Sequence, residues 1–481
     1  MRFFCLYFLI SISFILTGCN KMLNQQPLSE LPYDQFWQTA NDAKFGNAAI
    51  YSGLQKTFSS SFIEWGDARS DNLKAAGTGD AQVSIAYNGL TALTLSADWT
   101  NLYSTIARAN LAIKYVPNIK DALLTNTLRN NYLAQAYASR AFLYFWAVRL
   151  WGDVPVRLTP YETLDSVPTL CRSNKDSVLN NVIIPDLKKA LKLSDKNSLS
   201  TFEINQAAIL SMLTEVYLWQ HDYTNVINTT DQLIALKRYD LASQGNYRNV
   251  FSDGNTIENI WSLNWNYLTD GYNNIAAKLG STSNTSNFQI DVPFTIWESA
   301  ASLGDLRRSL NYDTTLVSSG ITVIWKFYPL DPTSGKPLVP NRIQNQVKLP
   351  FYRWADILLM RAEAFNWALN DKASAISLVN RIRTRANAKL LTASNYSTQL
   401  DLEWAILTER QLELFAEGKR WFDLVRTNRV LDILDPIITN RQILGHVTVT
   451  GFKDPRKILW PISRTVLNAD LTLTQNPPYS K

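Results

Sequence analysis

Long amphipathic helical patterns, repeated along most of the chain, constrain the fold more than any other feature of this 481-residue sequence. Between Leu133 and Val148, for example, apolar and small residues recur at steps of four, four, three and four, which places them on one face of a helix. We expect such faces to pack against neighbouring helices, because burial of apolar surface is the main source of helix stability in proteins. Helical patterns occur at residues 34–57, 97–116, 127–150, 174–193, 203–220, 222–236, 351–369, 371–387 and 401–427.

Several of these patterns are joined by only a few residues, such as the turn at residues 221–223. Paired helices of about 15 residues, with Ala and Tyr at packing positions, resemble tetratricopeptide-type hairpins, although no repeat of about 34 residues recurs cleanly. The sequence therefore predicts a mostly α-helical scaffold of helix pairs. Because Pro185 lacks a backbone N–H donor, we expect the helix over residues 174–193 to break there.

Two long regions lack helical periodicity. Residues 64–95 are rich in Gly, Asp and Asn, while residues 240–350 combine a Trp- and Asn-rich stretch at 259–267 with a loop that contains several prolines. Structureless loops longer than about 15 residues are uncommon in compact domains unless they carry function. A helical scaffold with two such irregular regions is more typical of a binding protein than of an enzyme.

The N-terminus has the features of a targeting signal. Arg2 is followed by an apolar-to-small run over residues 3–16, whose 14 residues are fewer than the roughly 20 that a transmembrane helix needs. The run leads into Leu16-Thr17-Gly18-Cys19, which has the form of a bacterial lipobox. We therefore expect residues 1–18 to be removed as a lipoprotein signal peptide and Cys19 to be lipidated. An ordinary secretory peptide, or a chance Cys after an apolar run, is the alternative.

Composition and motifs exclude several classes of function. A net charge of +6 over this length gives no basic footprint for nucleic acid. The chain has two His and three Cys, and it lacks zinc-binding spacing, a phosphate-binding loop and a nucleophile elbow, so we expect no metal, no cofactor and no catalytic centre. A carboxylate pair for glycoside hydrolysis stays open, because only folding brings such a pair together. Glu409, Glu413 and Glu417 step by four, and we interpret them as a salt-bridged helix surface.

Motifs spread over essentially the whole mature chain resemble those of the SusD/RagB family. Tyr352–Ala364 matches a family helix that ends in Ala-Glu-Ala, and Glu409–Leu424 matches the family's Glu-Gly-x-Arg-Trp element with the residues that precede and follow it. Two positions depart from the pattern, since Ser463 replaces a Pro and Pro478 replaces a Gly. The other matching segments are Trp99–Asn110, Arg140–Phe145, Trp151–Pro155, Leu378–Ala386, Leu459–Ile462 and Gln475–Tyr479.

The resemblance implies a mostly α, SusD-like fold in which four tetratricopeptide-like helix pairs scaffold an irregular ligand-binding region. It implies a single domain over residues 19–481, with an N-terminal part at 19–240, an irregular insertion at 240–350 and a C-terminal helical part at 351–481. It also implies a non-catalytic outer-membrane lipoprotein, anchored through Cys19, that delivers its ligand to a SusC-like TonB-dependent barrel. Residues 20–24 contain no acidic side chain, so display on the cell surface rests on the family and not on a visible export signal.

The residues best suited to hold a glycan lie in the two irregular regions. Sugar rings stack on aromatic planes, while their hydroxyl groups pair with amides, carboxylates and guanidinium groups. The candidate ligand-binding residues are Trp65, Arg69, Asp71, Asn72, Trp261, Asn264, Trp265, Tyr267, Tyr272, Trp297 and Trp325. The alternation around Trp261 and Trp265 also fits a half-buried strand, which would place these rings in the core. We interpret the Trp residues inside scaffold motifs as core, namely Trp99, Trp151, Trp354 and Trp421.

These features favour a protein that captures oligosaccharide or polysaccharide for import and does no chemistry on it. Peptide capture in the manner of RagB is the alternative, because a groove can hold an extended peptide through its backbone. A surface hydrolase built on a helical scaffold is the third hypothesis.

Overall fold

The computed structural model describes residues 36–76, 79–162, 169–270, 273, 275–279, 288–291, 304–312, 323–328 and 347–480. Four of the sequence predictions fall outside these ranges: the signal peptide at residues 1–18, the lipidated Cys19, and the candidate ligand residues Tyr272 and Trp297. Tyr267 is described through its backbone alone. Among the helices in these ranges, none combines the length and apolar character that crossing a bilayer requires.

The described chain is mostly helical, as predicted. The longer helices are α1 Ala40–Ile63, α2 Asp80–Ala86, α3 Thr100–Tyr115, α4 Asn126–Trp151, α5 Ile184–Leu193, α6 Gln206–Trp219, α7 Tyr223–Ala235, α8 Trp354–Leu369, α9 Lys372–Arg385, α10 Gln399–Glu413, α11 Arg420–Arg426 and α12 Val430–Leu444. The strands are β1 Leu73–Ala75, β2 Asn259–Asn264, β3 Phe288–Ile290 and β4 Lys348–Arg353. Short helical turns lie at Lys175–Val178, Asn249–Ser252, Tyr267–Asp270, Ile275–Leu279, Arg307–Asn311 and Arg464–Ala469.

Side-chain caps fix where two of the helices begin. At the start of α1, the Thr39 hydroxyl accepts the Asp42 N–H, and the Asp42 carboxylate accepts the Thr39 N–H at 2.7 Å. Thr398 and Asp401 form the same reciprocal arrangement before α10. Because a capping box satisfies the free N–H groups of the first turn, α1 begins at Ala40 and not at residue 34, where the apolar pattern starts.

The scaffold consists of helix pairs that pack in succession. α1 packs on α3, α4 on α5, α6 on α7, and α8 on α9, while α3–α4, α5–α6 and α7–α8 contacts join one pair to the next. The tight turns within the last two pairs need left-handed backbone, which His221 and Asn370 adopt with φ of 58° and 51°. Four packed pairs agree with the predicted number, and their tetratricopeptide-like geometry stays a prediction.

The predicted break at Pro185 does not occur. A helical turn at Lys175–Val178 leads into a π turn at Leu179–Ile183, and α5 continues directly from Ile184. Pro185 is the second residue of α5 and lies directly after the π turn. The wider π turn lets the chain continue with a proline that an uninterrupted α-helix would not accommodate.

Two small antiparallel sheets join parts of the chain that are distant in sequence. β1 pairs with β3, so that Leu73 lies opposite Ile290, and β2 pairs with β4, so that Leu263 lies opposite Leu349. The first sheet connects the two irregular regions to each other, and the second connects the longer of them to the C-terminal helices. β2 is buried on both faces and not on one, since its successive residues from Asn259 to Leu263 are all buried.

An aromatic core lies where α1, α4 and the β2–β4 sheet meet. The Phe58 ring lies 4.9 Å from the Phe351 ring and 5.1 Å from the Trp146 ring, and Trp261 stacks on Phe351 at 4.9 Å. Much of the unusual aromatic content therefore serves packing. The four scaffold Trp residues predicted as core are confirmed, since all are at most 5% exposed: Trp99, Trp151, Trp354 and Trp421.

Candidate ligand-binding region

Trp65, predicted to bind ligand, lies inside the protein. It belongs to the π turn that ends α1, and its side chain is 1% exposed. Its indole N–H donates to the Ser96 carbonyl at 2.8 Å, and its ring meets the edges of Phe58 and Trp151 at 6.1 and 5.7 Å. An indole enclosed in this way offers no face to a sugar, so the structure corrects this assignment.

Arg69 is likewise an internal residue and not an exposed guanidinium fork. It stacks on Trp421 at 4.1 Å and donates to the carbonyls of Lys457 and Ile458 and to Asn88 Oδ1. Burial lowers its pKa to about 10. Its hydrogen bonds attach residues near the C-terminus to the first irregular region. Its Nε–H has no partner within the described residues but is buried, so it does not face a ligand in solvent.

Asp71 and Asn72 complete a buried polar cluster. Arg420 donates to both oxygens of Asp71, while the Gln411 amide donates to Asp71 at 3.0 Å and to Asn72 at 2.9 Å. The Asn72 amide donates in turn to Asp67. Burial acts to raise the pKa of Asp71, but Arg420 and Gln411 outweigh it and hold that pKa below its usual range. Both residues are structural, contrary to the prediction.

The Trp- and Asn-rich stretch of the second region divides between core and surface. Trp261 and Trp265 are at most 1% exposed and belong to the core. The alternative interpretation, a strand whose rings lie in the core, is therefore confirmed for them, and the prediction that they bind ligand is wrong. Asn264, at the end of β2, is half-buried. Its side-chain oxygen accepts from Lys348, and its carbonyl accepts from the Gln55 amide at 2.7 Å. Of these three residues, Asn264 alone stays accessible.

Trp325 is half-buried. The other Trp residues predicted to bind ligand are buried wherever the structure describes them. Its indole N–H donates to the Ser309 carbonyl at 3.0 Å, and the Arg248 guanidinium lies 5.7 Å from its ring centroid. Arg248 also donates to the carbonyls of Trp325 and Tyr328, which fixes the local backbone. Burial lowers the pKa of Arg248 to about 10, so it stays a cation at neutral pH. The half-buried Trp325 indole is thus supported by a buried cation, since Arg248 is 6% exposed.

Arg441 of α12 joins the two irregular regions. Its guanidinium donates to Asp291, next to β3, and to the carbonyls of Ser70, Leu73 and Ala86 in the first region. The β1–β3 sheet and this side chain therefore hold the regions together as one unit. Sequence reasoning missed Arg441, because a single Arg in a helix carries no local signal of its distant partners.

The three stepped glutamates are interior, which corrects their interpretation as a helix surface. Glu409 and Glu413 are fully buried and Glu417 is 3% exposed. They belong to an ion network that, within the described ranges, joins five cations to five carboxylates: Arg307, Lys326, Arg353, Arg383 and Arg385 with Glu258, Asp305, Glu409, Glu413 and Glu417. Such a network is stable only because its charges balance and its hydrogen bonds are made.

The same network anchors the long insertion to the scaffold. Arg307 donates to Glu409 at 2.7 Å and to Glu413 at 2.9 Å, and Lys326 donates to Glu417 at 2.6 Å and to the Phe415 carbonyl at 2.8 Å. Burial lowers the pKa of Lys326 to about 8. Charged residues inside a predicted irregular region, such as Lys326 directly after Trp325, are the sequence signal that could have indicated these anchors.

The described side chains fit binding better than chemistry. Most buried carboxylates in the described ranges already have guanidinium or ammonium partners, and Asp67 accepts from the Asn72 amide and the Gly418 N–H instead. In the same ranges, no group of three or more His, Cys, Asp or Glu side chains is placed to hold a metal ion. His221 pairs with the Tyr223 hydroxyl in a turn, where it has a local structural role. The accessible groups described for the region are the Trp325 indole and the Asn264 amide, which recognise a ligand without reacting with it.

Comparisons with known proteins agree with this architecture. The family model described as "SusD family" matches residues 317–479, and the model described as "Starch-binding associating with outer membrane" matches residues 50–218. SusD-like protein P38 of Formosa agariphila is 29% identical, with 98% of each chain covered. SusD-like protein P2 of the same organism is 26% identical and covers 88% of this chain and 90% of its own.

Solved structures share the fold at low sequence identity. A SusD homologue from Bacteroides thetaiotaomicron superposes with a TM-score of 0.74 at 23% identity, covering 92% of this chain and 99% of its own. A protein described as "Laminarin binding SusD-like protein" gives a TM-score of 0.73 at 20% identity, with 92% and 100% covered. NanU of B. fragilis gives 0.70 at 22% identity, with 95% and 100% covered. At these identities the likeness establishes the fold.

Proposed function

Because the chain belongs to the SusD/RagB family, whose members are binding proteins and not enzymes, we propose that it captures glycans without chemistry. In this proposal it holds oligosaccharide or polysaccharide on its irregular regions and delivers it to a SusC-like TonB-dependent barrel. The family is described as associating with the outer membrane. Lipidation of Cys19 after removal of residues 1–18 would supply the attachment, since each buried methylene contributes about 0.8 kcal/mol to membrane binding.

The observation that carries the proposal is the union of the two irregular regions. β1 and β3 are more than 200 residues apart in sequence, yet they pair, and Arg441 donates to both regions. Loops that a rigid scaffold brings together are where binding residues concentrate. The buried ion network fixes Arg307 and Lys326. The half-buried Trp325 directly precedes Lys326 and donates to the Ser309 carbonyl, two residues after Arg307, so its backbone and ring are held in place.

The chemistry of this surface suits a glycan. The Trp325 indole supplies a plane for a sugar ring, and the neighbouring Arg248, which is buried, fixes the backbone that carries it. One matching family model is described as starch-binding, and one structural neighbour is described as laminarin-binding. Starch and laminarin are both glucose polymers. These names describe those proteins, and they guide the choice of ligands to test here.

Binding of the chain that starts after Cys19 to a polysaccharide panel tests the proposal. Starch, laminarin, xylan and a mixed peptide pool should be compared by affinity electrophoresis and calorimetry. We expect retardation by at least one glycan and no heat with peptides. Binding of peptides with no response to any glycan would support the alternative, in which the protein captures peptides for import.

A pair of Trp variants tests the location of the site. Trp325→Ala should weaken glycan binding by about three- to tenfold, since an aromatic contact contributes roughly 0.5–1.5 kcal/mol. Trp404→Ala is the matched control, because this half-exposed Trp lies on α10, outside both irregular regions. Equal affinity of both variants and the wild type would reject Trp325 as a ligand residue.

A further inference from the structure

A cavity lies beside α1, on the scaffold, and none of the residues that line it belongs to the β1–β3 sheet. Its walls are the middle of α1, the loop that precedes α6, the end of β2 and the turn at Tyr267–Asp270, and it encloses about 760 Å³. Ligand pockets have volumes of roughly 300–1,000 Å³. We propose that this cavity is a second glycan-binding site, which takes a short neutral segment of an oligosaccharide. The proposal rests on the proposed function only for the class of ligand.

Three aromatic rings give the cavity planes on which a sugar ring can stack. Phe45 of α1 is 60% exposed, and Phe202 and Tyr132 are half-buried on other walls. An exposed Phe on a helix is unfavourable in water, and covering it with the apolar face of a sugar removes that cost. The rings come from three separate parts of the chain, so folding and not local sequence brings them together.

One buried acceptor on the cavity wall has no partner. Asn47 is 6% exposed, and its amide N–H donates to Gln135 Oε1 at 2.9 Å, but its Oδ1 has no hydrogen-bond partner within the described residues. Gln135 Oε1 also accepts from the Tyr51 hydroxyl at 2.7 Å, which fixes the Asn47 amide in this orientation. A buried acceptor without a donor is destabilising. Because this oxygen is itself enclosed by protein atoms, Asn47 contributes to the proposal as part of a polar wall that is held in a fixed orientation.

A fixed set of polar groups links α1 to the end of β2 and to the turn at Tyr267–Asp270. The Gln55 amide donates to the Asn264 carbonyl at 2.7 Å and to Asp270 at 3.0 Å, and Asp270 also accepts the Asn266 N–H. Lys348 donates to the Asn264 side chain. Amides and carboxylates held in place on two walls, with aromatic planes between them, suit a ligand that is rich in hydroxyl groups. Asn264 thus keeps its predicted ligand role, in a different site from the one expected.

The backbone around the cavity does not suit an extended peptide. Peptides bind to sheets through an unpaired strand edge. One edge of β2 pairs with β4, and on the other the Ser262 N–H donates to the Thr201 carbonyl at 2.8 Å while the Asn205 amide donates to the Ile260 carbonyl. Since both edges are occupied, side-chain recognition of a sugar fits the cavity better than backbone pairing.

Calorimetry of the chain that starts after Cys19 with maltoheptaose, laminarihexaose, xylohexaose and cellohexaose tests the inference. Two variants address the cavity: Phe45→Ala removes an exposed ring, and Ser52→Trp fills the space from an exposed position on α1 that lines it. Trp404→Ala serves again as the control, and thermal melts verify that each variant is folded. We expect two binding events in the wild type, of which both cavity variants weaken one by about tenfold or more.

The combination with Trp325→Ala separates this inference from the proposed function. Loss of one event in the cavity variants and of the other in Trp325→Ala supports both sites. Loss in the cavity variants alone supports the cavity and rejects the region around Trp325. If the cavity variants bind every oligosaccharide as the wild type does, or if no oligosaccharide binds to the wild type, the inference is overturned.

Discussion

Arg420 holds both carboxylate oxygens of Asp71, through Nε and Nη2, each at 2.8 Å and across 349 residues of sequence. We expect Asp71→Asn to lower the free energy of unfolding by about 3–5 kcal/mol, because it leaves a buried guanidinium without its counter-charge. Urea denaturation measures the change. The glycan affinity of the folded variant should equal that of the wild type, since Asp71 is an internal residue.

The exposed pair Arg456–Asp454 provides the control for that experiment. Asp454→Asn should leave the unfolding midpoint unchanged, because surface ion pairs contribute little. If Asp71→Asn instead left stability intact and weakened glycan binding, Asp71 would return to the list of ligand residues.

Trp261→Ala should destabilise the protein by about 3–5 kcal/mol and not act as a binding variant. The reason is its position: the ring is fully buried, stacked on Phe351 and in edge contact with Phe142 at 5.0 Å. Chemical denaturation should be compared with Trp404→Ala, for which we expect a change within about 0.5 kcal/mol. Equal stabilities of the two variants would show that Trp261 is not a core residue.

Gly66→Ala should destabilise the protein because the backbone of Gly418 leaves no room for a methyl group. A Cβ on Gly66 would lie 2.3 Å from the Gly418 Cα atom, and Gly418 itself has a φ of 72°. Overpacking of this kind costs about 1–3 kcal/mol. Gly245→Ala is the matched control, since nothing lies within 4 Å of its added Cβ. Thermal melts in which both variants match the wild type would contradict the close approach.

The stability of the fold should depend on Glu215 in acid. Burial acts to raise its pKa, but Lys419, Arg149 and the Tyr352 hydroxyl outweigh it and lower that pKa to about 2. The unfolded chain, with the ordinary pKa of 4.5, binds more protons between these values, so stability is present above pH 4.5 and is lost as the pH falls towards 2. The contribution is roughly 3 kcal/mol.

Urea denaturation from pH 2 to 6 tests this dependence against Glu215→Gln, which cannot titrate. The stability difference between wild type and variant should shrink steadily as the pH falls through that window. A difference that stays constant with pH would mean that Glu215 has the same pKa in the folded and unfolded chains.

Cys19→Ala should release the protein from the membrane fraction. Without the thiol no acyl chain can be attached at this position, so the membrane affinity that such chains supply is lost. Metabolic labelling with palmitate and detergent phase partition measure the loss. Cys171→Ala is the control, because Cys171 is an exposed thiol that plays no part in that hypothesis. Continued labelling of Cys19→Ala would remove the lipid anchor from the proposal.

The sequence predicted the helices well, because periodic apolar faces are local features. The segments at 97–116 and 351–369 differ from α3 and α8 by only a few residues at one end. It did not indicate α12, in which Pro436 stands inside an otherwise helical stretch. Charged residues misled it most: Glu413 has the spacing of a surface residue, yet three Arg side chains from distant segments bury it. Those partners cannot be found from spacing.

The candidate site was less predictable than the scaffold. Residues of suitable chemistry, such as Trp65 and Trp261, fill the core, because stacking on a sugar and packing in an aromatic core need the same ring. Asn264 and Trp325 stay accessible, and nothing in their local sequence separates them from their buried neighbours. The sequence did not predict the α1 cavity, because Phe45 and Asn47 belong to a segment whose pattern predicts a helix of the scaffold.

The motif side chains Arg353, Glu413 and Arg420 direct their charges inward, to one another and to the irregular regions. Substitutions there are penalised by folding, whatever the ligand. Residues of the irregular regions that make no such bonds carry no comparable penalty. Ligand specificity can therefore change through those residues, while the motifs that identify the family are kept by folding and carry no information about the ligand.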